Sequence, residues 1–115
     1  MKILIADDSQ FMRKVLKDIL QDAGYTDLVE CADGKECMAK YASEKPDLIL
    51  LDIIMPEVDG IAVLKEIGKV AKILVISAVG QEKMVEEAKN LGALDYIVKP
   101  FDNNKVLEAV RAVLK

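Results

Sequence analysis

The feature that most narrows the fold is a set of short, almost uninterrupted apolar runs, each ending at a polar residue. "KILIAD" (2–7), "LILLD" (48–52) and "KILVIS" (72–77) hold little but Ile, Leu, Val and Ala before their last position. A strand with one face in water alternates apolar and polar residues. Continuous runs of this length instead describe strands covered on both faces, as in a parallel sheet. "LDYIVK" (94–99) is similar but carries Asp95, and "DLVECA" (27–32) is weaker, so both read as edge strands. Between the runs the apolar spacing is helical. Met12, Val15, Leu16, Ile19, Leu20 and Ala23 mark one helix face, with Gly24 as its C-terminal cap. "DGKE" (33–36) is a capping box ahead of a helix carrying Cys37, Met38 and Tyr41. A short helix is expected around 59–67, another on Met84, Val85, Ala88 and Leu91 that stops at Gly92, and a last one on Val106, Leu107, Val110, Val113 and Leu114. Alternating β and α units of this kind imply an α/β sandwich with right-handed crossovers.

A length of 115 residues suits one domain, so 1–115 is read as a single unit. The composition is 52% hydrophobic but only 4% aromatic, which makes the core aliphatic. With 16 basic against 20 acidic residues, the net charge of -4 argues against nonspecific nucleic-acid binding, which needs a basic face. No apolar run approaches the roughly 18–20 residues that span a bilayer. "MKILIADDSQ" turns acidic after six residues and is no secretory signal, so a cytoplasmic protein without membrane contact is expected. Cys31 and Cys37 form no CxxC, and there is no His to complete a zinc site; they read as reduced, partly buried thiols. The lack of His also removes any phosphohistidine or His general base. The chemistry must rest on carboxylates, hydroxyls and lysines.

Parallel strands place all their C-terminal ends along one edge, where open α/β sheets carry their sites. The strong strands here end at Asp7–Asp8, Asp52, Ser77 and Lys99. Taken singly, each has a plainer role: a helix N-cap for Asp8, a turn residue for Ser77, a surface charge for Lys99. Taken together, they bring three carboxylates, a hydroxyl and an ammonium into one crevice. Clustered carboxylates repel one another, and an oxygen-only acidic site suits Mg²⁺ with a phosphate. Lys99 and Ser77 would complement phosphoryl oxygens, since phosphoryl transfer depends on positioning and charge neutralisation. Asp52 ends the most apolar run and is the natural nucleophile for an aspartyl phosphate. Its strand is expected to deliver it to the sheet edge instead of burying it.

"ADDSQFMRKVL", "LLDIIMPEVDGI", "VISAVGQEK" and "DYIVKPF" together resemble the receiver domains of two-component response regulators, in order and over essentially the whole chain. The resemblance extends to the single-domain chemotaxis receivers around "SAVGQEKMVEEA". It implies a flavodoxin-like (βα)5 three-layer sandwich with a five-stranded parallel sheet in the order 2-1-3-4-5. It further implies that Asp52 is the phosphoacceptor. Mg²⁺ would be held by Asp8 directly, by Asp7 through water, by Asp52 and by the backbone carbonyl of Ile54. Ser77 and Lys99 would contact the phosphoryl group, and the Lys99–Pro100 bond would be cis. Tyr96 takes the switch-aromatic position, although its plainer role is an edge-strand aromatic covering apolar surface. On phosphorylation Ser77 would move toward the phosphoryl group and open space into which Tyr96 turns. The surface of the fourth helix, fifth strand and fifth helix would change shape for a partner.

By the same resemblance the phosphodonor is a CheA-like histidine kinase, and the output partner is a flagellar motor switch or an adaptor. The chain is then a signalling switch that catalyses only its own phosphorylation and dephosphorylation, and no enzyme toward outside metabolites. A monomer is expected, with a phosphorylation-linked dimer as the alternative. Because the chain ends with its fifth helix, a stand-alone chemotaxis receiver is favoured over a receiver cut from a larger regulator. A Mg²⁺-dependent aspartyl phosphatase is disfavoured because Ile54 stands where a second acid would be useful. An FMN carrier is disfavoured because "DDSQ" is acidic where a phosphate-cradling loop is needed. Two departures from the usual pattern stand out. "KEIGKVAKI" makes an abbreviated third helix or loop, and the apolar Ile54 predicts slow self-dephosphorylation. Ala78 is small, so access to the acyl phosphate should stay open.

Overall fold

Leu48–Leu51 form a strand in which all four side chains are buried, as the unbroken apolar run requires. The computed structural model describes residues 1–114. The elements are β1 (Lys2–Ala6), α1 (Gln10–Asp22), β2 (Asp27–Cys31), α2 (Gly34–Glu44), β3 (Leu48–Leu51), α3 (Gly60–Ile67), β4 (Ile73–Ser77), α4 (Glu82–Asn90), β5 (Asp95–Val98) and α5 (Asn103–Leu114). The strands form one parallel sheet in the order β2-β1-β3-β4-β5. The expected flavodoxin-like sandwich is therefore the observed one, with "DLVECA" and "LDYIVK" at the two edges.

Alternation along each strand sorts the core into two layers. Ile3 and Ile5 face one side with Leu48, Leu50, Leu74 and Ile76, packed against Leu16 and Leu20 of α1 and Val106 and Val110 of α5. Leu4 and Ala6 face the other side with Ile49, Leu51, Ile73 and Val75, under Cys37 of α2, Val63 and Leu64 of α3 and Ala88 of α4. Burying one such aliphatic side chain stabilises by about 1.5–3 kcal/mol, so the sheet centre dominates the stability. Both cysteines are free and fully buried, deeper than the expected partial burial. A hydrogen bond with Cys37 that favours the protonated form, together with burial, pushes the Cys31 thiol far up, so it stays protonated.

The helix ends follow the local chemistry. Ser9, Asp33 and Asp59 are N-caps that accept from Met12, Glu36 and Ala62 amides, and the Glu36 carboxylate reaches back to the Ala32 amide, one residue before the cap that the expected capping box would use. After α1 the amides of Gly24 and Tyr25 donate to Gln21 and Leu20 carbonyls, a Schellman turn made possible by φ +96° at Gly24. Gly92, at φ +119°, ends α4 in the same way, with Gly92 bonded to Lys89 and Ala93 to Ala88. The third helix is short, at 8 residues, as the abbreviated "KEIGKVAKI" segment implied. Among the described residues, no helix is long and apolar enough to cross a membrane.

Candidate functional site

The site lies where β1 and β3, adjacent central strands, run out of apolar residues. The Asp7 amide donates to the Cys31 carbonyl at 3.1 Å, and the Asp52 amide donates to the Ala6 carbonyl at 2.9 Å. Each carboxylate is thus fixed to the sheet by its own backbone. Asp7 Oδ1 accepts from the Ser9 amide at 2.9 Å, and Asp52 Oδ1 from the Ile54 amide at 3.1 Å. The remaining oxygens of both share Lys99, whose Nζ donates to Asp7 Oδ2 at 2.7 Å and to Asp52 Oδ2 at 3.0 Å. Lys99 follows β5, where its amide donates to the Ser77 carbonyl, and the Lys99–Pro100 bond is cis as expected.

One expectation is corrected here. Asp52 was expected at the sheet edge instead of in the interior, yet it is only 7% exposed, and Asp7 only 2%. The buried Asp52 carboxylate is tolerated through Lys99 and the Ile54 amide and not through solvent. Burial, the largest influence on Asp7, pushes its carboxyl above the ordinary value; hydrogen bonds from Lys99 and Ser9 only partly offset it. Burial alone would lower the Lys99 amine, but hydrogen bonds to Asp7 and then Asp52 reverse that and raise it. Both directions fit one picture: the ammonium is firmly charged, and two carboxylates compete for it.

Asp8 follows on the same loop and is exposed. Asp7, Asp8 and Asp52 each offer one carboxylate oxygen, and these atoms lie within 4.8 Å of one another. That donor set is hard, anionic and oxygen-only, which fits a small divalent cation such as Mg²⁺ and not a soft metal. Ile54 is 58% exposed and stands beside Asp52 at the rim.

Ser77 is the last residue of β4 and is fully buried, its Oγ accepting from the Val79 amide at 3.3 Å. Tyr96 lies inside the layer under α4, 7% exposed, with its hydroxyl donating to the Val79 carbonyl. Burial pushes its phenol up, a hydrogen bond with Ser77 opposes this, and the charge of Asp52 adds to it. The tyrosine is already turned inward here, where the sequence reading has it turn in only on phosphorylation. Exposed Ala78 and Gly80 flank the Val79 carbonyl that receives it.

Two charged residues at this edge escaped the sequence reading. Arg13 of α1 donates through Nη1 to the Asp7 carbonyl at 2.7 Å and through Nε to Glu30 at 2.9 Å. Glu30 also accepts from Lys17 at 3.0 Å. The available signal was a carboxylate, Glu30, among the apolar residues of the "DLVEC" strand, opposite a helix with basic residues four apart.

The sequence matches the response regulator receiver domain over residues 3–111. It is 50% identical to the chemotaxis protein CheY of Thermotoga maritima, over 99% of this chain and 98% of that protein. It is 47% identical to the chemotaxis protein CheY of Bacillus subtilis, over 98% and 97% respectively. Among solved structures, the fold is similar to the CheX–CheY–BeF3–Mg²⁺ complex of Borrelia burgdorferi, with TM-score 0.93 and 39% identity, covering 100% of this chain and 90% of that one. With the sheet order, the acidic cluster and these likenesses in agreement, the chain belongs to the response regulator receiver domain family.

Proposed function

We propose that this chain, read as one receiver domain over 1–115, is a phosphorylation-driven switch in chemotaxis, with Asp52 as the phosphoacceptor. The carrying observation is that Asp52 is pinned between Lys99 and the Ile54 amide, within 4.8 Å of two further carboxylates. The proposed donor is a CheA-like histidine kinase. An Asp52 carboxylate oxygen attacks phosphorus, the bond to the donor's imidazole nitrogen breaks, and that nitrogen keeps the electron pair and takes up a proton. Mg²⁺, held by Asp8, Asp52 and the Ile54 carbonyl with Asp7 through water, would supply positive charge to the transferring oxygens. Lys99 and Ser77 contact the remaining phosphoryl oxygens, and withdrawal of Ser77 and Lys99 from their present partners is read out at Tyr96 and the α4–β5–α5 surface.

The proposed output is binding of a motor-switch or adaptor protein by that surface, in the cytoplasm, without DNA or lipid. That relatives so similar are named chemotaxis proteins supports this reading. The test is direct. With Mg²⁺ and a small acyl phosphate, intact mass should show one phosphoryl adduct per chain, absent in Asp52→Asn and absent with chelator. Catalytic turnover of phosphate monoesters without an adduct would overturn the reading in favour of a phosphatase.

Self-dephosphorylation is proposed to be slow, because the Ile54 side chain is exposed beside Asp52 and has no polar group to hold a water. Ile54→Asn restores one hydrogen bond of about 1 kcal/mol to the attacking water, which corresponds to roughly fivefold faster decay. Equal decay rates for the two phosphoproteins would contradict this.

A further inference from the structure

We propose that Arg13 is a positioning residue for the acidic loop, setting the Asp7–Asp8 peptide so that Asp8 faces the cation; this rests on the metal assignment above. The last ladder pairs of β1 join Ala6 to Cys31 and to Leu51, so the Asp7 carbonyl lies beyond the sheet's own hydrogen bonds. Arg13 Nη1 takes that carbonyl at 2.7 Å. The carbonyl belongs to the peptide that leads into Asp8, and rotating this peptide swings the Asp8 side chain away from Asp7 and Asp52.

The arginine is itself held. Its Nε donates to Glu30 Oε1 at 2.9 Å, and its side chain is only 15% exposed. Glu30 is fixed in turn by Lys17 on its other oxygen and by Lys40 on its backbone carbonyl. The chain of contacts runs from α2 through β2 and α1 to the one peptide that β1 cannot hold. The guanidinium spans the two acceptors with separate, coplanar donors, Nε to the Glu30 carboxylate and Nη1 to the Asp7 carbonyl, a spread that a single ammonium does not reproduce. A lysine would pair with the Glu30 carboxylate and leave the carbonyl free.

Coulomb attraction and positioning predict opposite results. Arg13 is a cation beside a cation site, so removing its charge should tighten Mg²⁺ binding if charge alone matters. If it orients Asp8, removal should weaken binding.

The experiment is calorimetric titration of the full chain with MgCl₂, with the Asp8 and Ser9 amides followed by NMR. Arg13→Lys keeps the charge and Arg13→Met removes it; both should bind Mg²⁺ about tenfold more weakly, as expected for loss of a ligand's supporting hydrogen bond. Lys17→Met takes a partner from the same Glu30 without touching Asp7, and should stay within about twofold of wild type, because that ion pair is 35% and 36% exposed and open to solvent screening. Wild-type or tighter affinity in Arg13→Lys overturns the proposal, and so does equal weakening in Lys17→Met. Should Arg13→Met not fold, Arg13→Lys against Lys17→Met still decides. A wild type that binds no Mg²⁺ overturns the metal assignment itself, and is recognised as such because no variant is then involved.

Discussion

Lys99→Met should lower stability at neutral pH by about 3–5 kcal/mol, the usual cost of removing one partner from a buried charge network. The lysine side chain is 15% exposed and its two carboxylates 3% and 8%, so solvent cannot take over its role. The pH dependence carries a definite sign. Lys99 has a raised value, so its contribution is complete below the unfolded value near 10.4 and is lost only as pH rises through the folded one; at neutral pH it is fully present. Asp7 also has a raised value, because burial outweighs its hydrogen bonds, so its ionisation opposes folding. Its favourable share is complete below about pH 3.9 and lost as pH rises through the folded value.

Removing Lys99 strips Asp7 of its largest opposing influence and moves it further up. The deficit of the variant should therefore be smallest near pH 4 and grow toward about pH 7. Urea melts at both pH values, with chelator present, measure it. Mg²⁺ should restore more stability to the variant than to the wild type, since a cation among the carboxylates replaces the missing ammonium. A deficit independent of both pH and Mg²⁺ would mean that lost packing of the lysine stem dominates.

The two-layer core was legible because β1, β3 and β4 are covered on both faces, so their runs needed no alternation to be recognised. The helix limits were legible because Ser9, Asp33, Asp59, Gly24 and Gly92 act within a few residues of themselves. The clustering of Asp7, Asp8 and Asp52 followed from parallel topology alone. What was not legible depends on reach across the fold. The burial of Asp52 rests on Lys99, 47 residues away, and nothing local in "LILLDIIMP" announces that partner. Arg13 and Glu30 stand 17 apart and read as solvated charges until β2 is laid beside α1. The inward Tyr96 is a rotamer choice set by the Val79 carbonyl, which sequence spacing does not encode.

Gly60→Ala is the second large effect. A Cβ at Gly60 would lie 2.4 Å from the Asp52 carbonyl oxygen, 2.7 Å from the Ile53 Cα and 3.0 Å from the Asp52 carbonyl carbon. All three are backbone atoms of the segment that carries the candidate phosphoacceptor, so no flexible side chain can yield. The helix cannot retreat cheaply either. The Gly60 amide donates to the Ile53 carbonyl at 2.8 Å, and the Asp59 cap holds the Ala62 amide at 2.9 Å. Relief must come from moving the Asp52–Ile53 peptide, which costs about 2–3 kcal/mol as overpacking of a closed interior.

The same movement shifts Asp52 against Lys99 and the Ile54 amide, so phosphorylation by an acyl phosphate should slow even in the folded fraction. Gly24→Ala is the matched control: nothing lies within 4 Å of its added Cβ, and only the φ of +96° resists. That control should lose about 1–2 kcal/mol from backbone strain while keeping wild-type phosphorylation kinetics. If Gly60→Ala destabilises yet phosphorylates at the wild-type rate when folded, the close contact serves packing alone. A slowed rate in Gly60→Ala but not in Gly24→Ala ties the missing side chain to the placement of Asp52.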